Sequence, residues 1–252
     1  MDGLLNMSAE AQFTFFDGLT AFLPFGKRQA TMQVAFKGHP AVKHLVESLG
    51  IPHTEVQRVL VNGQPADLAY HVQPGDQIGV YPPMPIIDNL VRSETGPDLE
   101  IEPRFVLDNH LGRLAAYLRM LGFDSLYRND YQDEELSQVA GLEERILLTR
   151  DRHLLMRSIV RYGYCVQNRD PHIQMVEILR RFNLFDQTHP FQRCLRCNAL
   201  LMPVEKEAIL DRLESLTRQY FNEFAICPGC QQIYWKGSHY EHMQALIEEA
   251  TR

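Results

Sequence analysis

The sequence predicts an α/β fold in which a domain with a parallel sheet follows a β-rich N-terminal domain and precedes a small C-terminal module. Apolar runs in the first third of the chain are separated by Asn-Gly and Pro-Gly signals, which are typical of short strands joined by turns. Strand-like and helix-like segments then alternate, a pattern that indicates parallel strands with helices on both faces. Two close pairs of cysteines follow this alternation.

Composition and cysteine usage restrict the class of protein. The 252 residues, 45% of them hydrophobic, are enough for two or three small globular domains. The opening residues lack the basic start and apolar run of a signal peptide, and no stretch is apolar for long enough to cross a bilayer, so we expect no membrane association. Four cysteines in two tight pairs are typical of metal ligands in a reducing compartment, and we expect a cytoplasmic location.

The net charge of -7 is unevenly distributed. Residues 1–103 carry 6 basic and 12 acidic groups, residues 104–193 carry 13 and 12, and residues 194–252 carry 6 and 8. Every basic group of the middle segment is arginine, the side chain best shaped for bidentate phosphate contacts. The middle segment is therefore the part suited to nucleic acid, although solvated helix faces explain individual arginines equally well.

The order of the predicted strands and helix in the N-terminal third of the chain indicates its fold. Strands are predicted at FTFF and MQVAF, a helix at AVKHLVESL, and further strands at VQRVLVNGQ and DQIGVY. The VNG segment marks a hairpin at Asn62-Gly63, and the PGD segment marks a second turn at Gly75. This order of elements resembles the ubiquitin-like β-grasp domain of small sulfur-carrier proteins over residues 11–83.

Sulfur carriers end in a free Gly-Gly tail, whereas this chain continues beyond Tyr81 into a proline-rich segment. We therefore expect no conjugation chemistry, and a protein partner is the alternative role for the domain. Residues 84–103 hold several prolines and acidic residues and predict a linker. The α/β domain is predicted over residues 104–190.

Three aspartates follow strands of the α/β domain. Asp108 ends RFVLD, Asp130 follows SLYRN, and Asp151 follows ILLTR. The carboxyl ends of parallel strands share one edge of a sheet, so these acids are expected to meet there and to need a divalent cation, Mg²⁺ or Mn²⁺. Such a site suits phosphodiester hydrolysis. Glu134 or Glu135, in the first turn of the next helix, is a candidate for a further ligand or for orienting the attacking water.

Each acid also has a structural interpretation, because aspartate is a preferred helix N-cap. Asp151 immediately precedes a helical pattern, and the cap is also an alternative for Asp130. Asp108 lies three residues ahead of the apolar helical pattern, behind Asn109 and His110, so a cap is less expected there. Asp170 precedes Pro171 and is predicted to be a cap. Acids in a first helical turn, such as Glu134, are also stabilised there by the helix dipole.

Arginines near the acids are candidates for contacts with substrate phosphates. Arg113, Arg150 and Arg152 lie close to them in sequence. Arg119 and Arg157 are farther along their helices, and we expect them at the exposed surface.

The four paired cysteines predict one structural zinc site, with all four as ligands: Cys194, Cys197, Cys227 and Cys230. A four-thiolate site leaves no open position for a substrate. The module spans residues 191–252, with a C-terminal helix. Between the pairs, apolar residues recur at helical intervals and predict one inserted amphipathic helix; they are Ile209, Leu213, Leu216 and Tyr220. The fifth cysteine, Cys165, is predicted to be a small buried residue.

Aromatic and basic residues follow the second cysteine pair. Trp235 and Tyr240 have faces suited to stacking on unpaired bases, and Lys236 is placed to reach a phosphate. The alternative is that the aromatic rings cover the small core of the module. His239 is a candidate for substrate binding or proton transfer, with a structural role as the alternative.

Several of these motifs together carry a second resemblance. The runs FVLDNHLGRLAAYLRMLGFD and ILLTRDRHLL, the cysteine pairs and IYWKGSHYEHM are similar to the PIN-like ribonuclease family first recognised as the C-terminal domain of a mutator-type exonuclease. In bacteria a ubiquitin-like domain often precedes that domain. The resemblance covers most of residues 104–243 and implies a PIN-like three-layer parallel-sheet domain with a zinc ribbon. It also implies metal-dependent RNA cleavage, with Asp108, Asp130 and Asp151 as the acidic positions.

We therefore expect a ribonuclease that hydrolyses RNA phosphodiester bonds, with the zinc ribbon assisting in holding RNA. Two hypotheses from other classes stay open. A non-catalytic RNA-binding adaptor would use the arginines and the ribbon without a metal at the acids. A protein-interaction module would recruit a partner through the β-grasp domain, and its acids would only cap helices.

Overall fold

The structure is a computed structural model. It describes residues 8–26, 28–83, 103–238, 240–241, 244–245 and 248. The chain divides into two compact units: Met1–Glu102 with Tyr131–Gln167, and Pro103–Asp130 with Asn168–Arg252. Nearly all of the predicted linker, most of the predicted C-terminal helix and His239 lie outside the described residues.

The N-terminal part of the first unit is a five-stranded sheet with one helix. Its strands are β1 Ala9–Phe15, β2 Thr31–Phe36, β3 Arg58–Val61, β4 Gln64–Ala66 and β5 Gln77–Tyr81, and its helix is α1 Val42–Ser48. The sheet order is β2-β1-β5-β3-β4, in which β1 and β5 are parallel and the other pairs are antiparallel. The predicted β-grasp fold is confirmed.

Alternating apolar residues build the core of this domain. Phe13 and Phe15 of β1 and Ile78 of β5 are each at most 1% exposed. The predicted hairpin is formed between β3 and β4, where Asn62 and Gly63 have φ angles of 52° and 81°. Two successive positive φ angles are the requirement of a two-residue hairpin turn, which explains why the Asn-Gly signal was reliable.

The middle of the chain alternates strands and helices as predicted. In chain order its elements are β6 Phe105–Leu107, α2 Gly112–Met120, β7 Ser125–Tyr127, α3 Asp133–Leu142, β8 Ile146–Thr149, α4 Arg152–Leu155, β9 Gly163–Cys165 and α5 Pro171–Phe182. In the second unit β6 and β7 are parallel, and in the first unit β8 and β9 are parallel. All residues of β6 and β8 are buried, as expected for parallel strands covered on both faces.

The segment RHLLMRSIVRYG predicts a helix over residues 152–163, and this prediction is wrong in length, because α4 ends at Leu155. The chain then turns so that Val160 is fully buried and Ile159 lies against Gly141 of α3, where a Cβ atom would not fit. Tertiary packing overrides the helical pattern here. By contrast, α5 begins at Pro171 as predicted, because the Asp170 carboxylate accepts hydrogen bonds from the amides of His172 and Ile173 at 2.9 and 3.1 Å.

The C-terminal module has a three-stranded antiparallel sheet, β10 Met202–Val204, β11 Phe224–Ile226 and β12 Ile233–Trp235, in the order β10-β11-β12. The single inserted helix predicted from the apolar spacing is wrong. A 3₁₀ helix, Lys206–Arg212, and a short helix, α6 Ser215–Tyr220, are separated by extended residues Leu213 and Glu214.

The break between these two helices also explains why some apolar residues of the insertion are buried and others are exposed. Ile209 and Leu213 join the small core of the module, whereas Leu216 and Tyr220 are 69% and 67% exposed. Of the described residues, none forms a helix long and apolar enough to cross a bilayer. Cys165 is buried, as predicted.

Candidate metal centre and nuclease site

The two cysteine pairs form two turns with the same backbone pattern. The amide of Cys194 donates to the carbonyl of Ala199, and the amide of Asn198 donates back to Cys194, at 2.8 and 2.9 Å. Cys227 repeats both bonds with Gln232 and Gln231, each at 2.9 Å. The residue after each second cysteine, Asn198 or Gln231, has a positive φ of 71° or 60°. This tight turn directs both sulfurs of a pair to one side.

The four sulfurs converge on one point. The Sγ atoms of Cys194 and Cys230 are 3.4 Å apart, those of Cys197 and Cys227 are 3.2 Å apart, and all four lie within 4.8 Å of one another. Tetrahedral zinc with Zn–S bonds of about 2.3 Å requires sulfurs about 3.8 Å apart. The donor set and spacing therefore fit the predicted structural zinc. It is the only group of three or more potential ligand residues within the part of the chain that the structure describes.

Tyr234 of β12 supports the cysteine cluster from outside it. Its hydroxyl accepts a hydrogen bond from the amide of Leu195 at 3.1 Å and lies 3.2 Å from the Sγ of Cys194. Burial opposes ionisation of Cys194, but hydrogen bonds from Tyr234 and from the Cys197 and Arg196 amides outweigh it and lower its pKa from 9.0 to about 6. Burial, followed by the bond to Cys194, raises the pKa of Tyr234, so its hydroxyl keeps the proton that it donates.

Replacement of Tyr234 by phenylalanine is expected to weaken zinc binding about tenfold, because outer partners of metal ligands typically contribute that much. The measurement is competition for zinc with a chromogenic chelator at neutral pH. Tyr220→Phe is the matched control, since Tyr220 is 67% exposed and is not a member of the cysteine cluster. Equal affinities for the wild type and Tyr234→Phe would show that the hydroxyl does not assist the sulfur.

Arg119 is buried, and the prediction of an exposed side chain is wrong. It is 4% exposed, and its guanidinium donates to the carbonyls of Leu195 and Arg196 at 3.0 and 2.9 Å and to Ser125 at 2.8 Å. Burial lowers the pKa of Arg119, and the nearby Cys194 and Cys197 oppose this shift. The residue therefore links α2 and β7 to the first cysteine turn.

Asn198 makes a second link between the same parts of the second unit. Its side chain donates to the carboxylate of Asp124 at 2.7 Å and accepts from the amide of Ser125 at 3.0 Å. Arg193 adds bonds to the carbonyls of Gly122 and Asn198 at 2.9 and 3.1 Å. The first cysteine turn is thus joined to residues 119–125 by several hydrogen bonds to buried or half-buried groups. Spacing alone did not reveal this role of the residue after the CxxC motif.

Asp108 and Asp130 belong to the second unit. Asp108 directly follows β6 and precedes a 3₁₀ turn, Asn109–Leu111, which its side chain does not cap. Asp130 is 66% exposed and forms a two-point ion pair with Arg128, at 2.9 and 3.1 Å. The hydrogen bond from Arg128 lowers the pKa of Asp130. The cap interpretation does not apply to Asp108, and an ion pair engages Asp130.

Asp151 belongs to the first unit and lies two residues after the end of β8. Its Oδ1 accepts the amide hydrogen of His153 at 2.8 Å, so Asp151 is the N-cap of α4. Glu134 pairs with Arg157 at 2.5 Å and accepts a hydrogen bond from Gln138 at 3.0 Å. The structure therefore assigns partners to both candidates, a backbone amide to Asp151 and an arginine to Glu134.

The predicted phosphate-binding residues differ in their surroundings. Arg113 and Arg150 are exposed. Arg152 is also exposed, but its Nη1 donates to the carbonyl of Phe22 at 2.6 Å. Lys236 pairs with Glu223 at 3.1 Å, and this hydrogen bond raises the pKa of Lys236. Binding of a phosphate by Lys236 would therefore replace an existing partner.

The ribbon aromatics pack against other rings of the module, as the structural alternative predicts. Trp235 is 40% exposed, and its ring centre lies 6.4 and 6.5 Å from those of Phe221 and Phe224. Tyr240 stacks on Phe191 with ring centres 4.0 Å apart. A groove of about 960 Å³ runs beside these rings. The aromatics thus pack on the module while part of Trp235 faces solvent.

A carboxylate that sequence spacing did not identify lies on α5. Glu177 accepts hydrogen bonds from the backbone and side-chain amides of Asn168 at 3.1 and 2.6 Å. Gln174, which is 4% exposed, donates to the Asn168 carbonyl at 2.9 Å. These bonds fix the segment that precedes α5. No local sequence signal connects Asn168 to a helix residue nine positions later.

Comparisons with known proteins agree with this architecture. A family model described as Mut7-C RNAse domain matches residues 103–247, and one described as Mut7-C ubiquitin matches residues 8–88. A search of curated proteins finds no significant match.

Two solved structures resemble part of the chain. They are H. volcanii small archaeal modifier protein 1, at 22% identity, and SAMP1 from Haloferax volcanii, at 21%. Each alignment covers 30% of this chain, with 99% and 96% of the other chain and a TM-score of 0.25. The ribonuclease model spans more than half of the chain, and the ubiquitin-like model precedes it, so both resemblances inferred from the sequence are confirmed. The chain belongs to the Mut7-C RNAse domain family, with an N-terminal ubiquitin-like domain.

Proposed function

We propose that this protein is a metal-dependent ribonuclease that hydrolyses RNA phosphodiester bonds in the cytoplasm. The observation that carries the proposal is the ribonuclease family match over residues 103–247. The domain limits 84–103, 104–190 and 191–252 form part of the same proposal.

The carboxylates proposed to hold Mg²⁺ or Mn²⁺ are Asp108, Asp130 and Asp151, with Glu134 as an auxiliary acid. Asp108 follows a fully buried parallel strand, and its carboxylate does not cap the next turn. Capping by Asp151 uses Oδ1, which leaves Oδ2 to bind a cation. A bound divalent cation supplies charge stabilisation and an acidified water to this chemistry. The protein would supply the anionic oxygens that hold this cation.

Arginines and ribbon aromatics are proposed to hold the RNA. The exposed guanidinium groups of Arg113 and Arg150 suit contacts with phosphate oxygens. The exposed part of Trp235, beside the groove, suits stacking on an unpaired base, with Lys236 and His239 nearby in sequence for a phosphate. In this proposal the zinc is structural and the ribbon contributes affinity rather than chemistry.

A non-catalytic RNA-binding adaptor is the second candidate, and one observation favours it. Asp130 pairs with Arg128, Asp151 caps α4, and Glu134 pairs with Arg157, so these three acids have partners without a cation. Recruitment of a protein partner by the ubiquitin-like domain is compatible with either function.

The test is cleavage of end-labelled single-stranded RNAs in buffers that differ only in Mg²⁺ or Mn²⁺, with zinc content measured throughout. We expect product to appear with added Mg²⁺ or Mn²⁺ and to be absent without them, because the acids need a cation. Equal product without added metal would contradict metal dependence. Tight RNA binding with no product under any condition would favour the adaptor. DNA strands of the same sequence test whether cleavage requires the ribose 2′-hydroxyl.

A further inference from the structure

The ubiquitin-like domain contacts the edge of strand β9 through a buried carboxylate. Glu55, in the 3₁₀ turn His53–Glu55, is 4% exposed, and its Oε1 accepts the amide hydrogen of Cys165 at 2.6 Å. The next amide, Val166, donates to Thr149 of β8 at 2.8 Å. Because successive amides of a strand point to opposite sides, the Cys165 amide faces away from β8. Glu55 therefore satisfies a donor on the open side of β9.

His53, at the start of the same turn, makes a second contact with the segment before β9. Its Nε2 donates to the carbonyl of Val160 at 2.8 Å, and its Nδ1 lies 2.7 Å from a carboxylate oxygen of Glu47. Glu47 belongs to α1, so the ring is held between this helix and the Val160 carbonyl. The contact is half-buried and joins residues 107 positions apart.

Arg152 makes a third contact beside Asp151. It is the first residue of α4, and its Nη1 donates to the carbonyl of Phe22 at 2.6 Å. Gly50 permits this approach, because it has a φ of +95° and a Cβ there would lie 3.1 Å from the Phe22 oxygen and 3.3 Å from Nη1. The arginine that sequence proximity assigned to substrate phosphate is thus anchored to the N-terminal domain.

We propose that the ubiquitin-like domain is a fixed partner of residues 150–166 in the same chain and that it positions the Asp151 carboxylate. Glu55 and His53 hold β9 and the segment before it, and Arg152 holds the start of α4, where Asp151 is the N-cap. Arg152 is a positioning residue that acts through Asp151. The docking itself is independent of the proposed function, whereas its effect on catalysis rests on it.

Hydrogen exchange in the full-length protein tests the docking without any assay of activity. We expect the Glu55→Ala protein to exchange amides of residues 163–167 at least about tenfold faster than the wild type, because Cys165 loses its buried acceptor. Glu55→Gln retains an oxygen acceptor and is expected to restore most of the protection. Glu10→Ala, an exposed acid of the same domain, is the control. Unchanged exchange in Glu55→Ala would overturn the docking.

Arg152→Gln supplies a second test on an exposed residue, where loss of the fold is not expected. If Arg152 positions Asp151, the variant is expected to show faster amide hydrogen exchange over residues 150–155. It is also expected to have a lower kcat for RNA cleavage, with KM little changed. Arg150→Gln is the matched control, expected to raise KM without altering exchange. If Arg152→Gln raises KM alone and leaves exchange unchanged, the residue binds phosphate and the positioning role is wrong. If the wild type cuts no RNA, the proposed function fails and exchange alone decides the docking.

Discussion

Replacement of Asp108 or Asp151 by asparagine is expected to lower the rate of RNA cleavage at least about a hundredfold. Asparagine has nearly the same shape as aspartate but lacks the charge that holds a divalent cation. Asp108 does not cap the turn after it, so removal of its charge disturbs no capping bond. Asparagine is also a good N-cap, so Asp151→Asn retains an acceptor for the His153 amide. Both variants are therefore expected to fold and to lose activity.

Initial rates with labelled RNA at saturating Mg²⁺, together with thermal unfolding, provide the measurement. Asp170→Asn is a matched control, because Asp170 caps α5 through the same kind of bond and lies outside the proposed site. It is expected to cleave at the wild-type rate. If Asp108→Asn and Asp151→Asn also cleave at that rate, these acids have no part in the reaction.

Loss of one zinc ligand is expected to unfold the C-terminal module. Structural zinc in isolated zinc-finger peptides contributes on the order of 10 kcal/mol to folding. Among the described residues of the module, its buried apolar core consists of four: Ile209, Leu213, Phe224 and Ile233. Its three strands have only three residues each. Cys227, which is fully buried, is the most informative ligand to replace.

The single tryptophan of the chain, Trp235, lies in β12 and reports on the module directly. We expect Cys227→Ser to bind no zinc and to show a red-shifted tryptophan emission, because its ring leaves Phe221 and Phe224. Cys165→Ser is the control, as this buried cysteine is not a member of the cluster, and it is expected to retain one zinc. A Cys227→Ser protein with zinc and unchanged emission would contradict the assignment.

Local sequence signals predicted most of the secondary structure because each has a local physical cause. Asn62-Gly63 fixes its hairpin through positive φ angles, and Asp170-Pro171 fixes the start of α5 through a cap. The helix predicted beyond Leu155 and the single helix across the zinc module failed for the opposite reason. Apolar spacing indicates which residues are buried, but distant packing decides whether the backbone between them stays helical.

The candidate site likewise has features that local sequence signals predict and features that they do not. The spacing of the cysteine pairs was sufficient to predict the metal cluster, because a CxxC turn sets the direction of its sulfurs locally. The environments of Arg119 and Arg152 were not predictable, since their acceptors are carbonyls 76 and 130 positions away. A charged residue on a helix was interpreted as exposed because sequence shows its charge and not its acceptors. The partner of Glu134, Arg157, lies 23 positions away and required the folded chain for a similar reason.

The bonds of Arg119 to the first cysteine turn limit how this protein can be shortened. A chain ending before Cys194 would leave a buried guanidinium without the carbonyls of Leu195 and Arg196, and Ser125 without the Asn198 oxygen. Unsatisfied buried donors of this kind are costly, and one of them, the Ser125 amide, lies on β7, the strand that leads to Asp130. The ribbon therefore cannot be removed without loss of these hydrogen bonds, and a minimal active fragment has to retain both cysteine pairs.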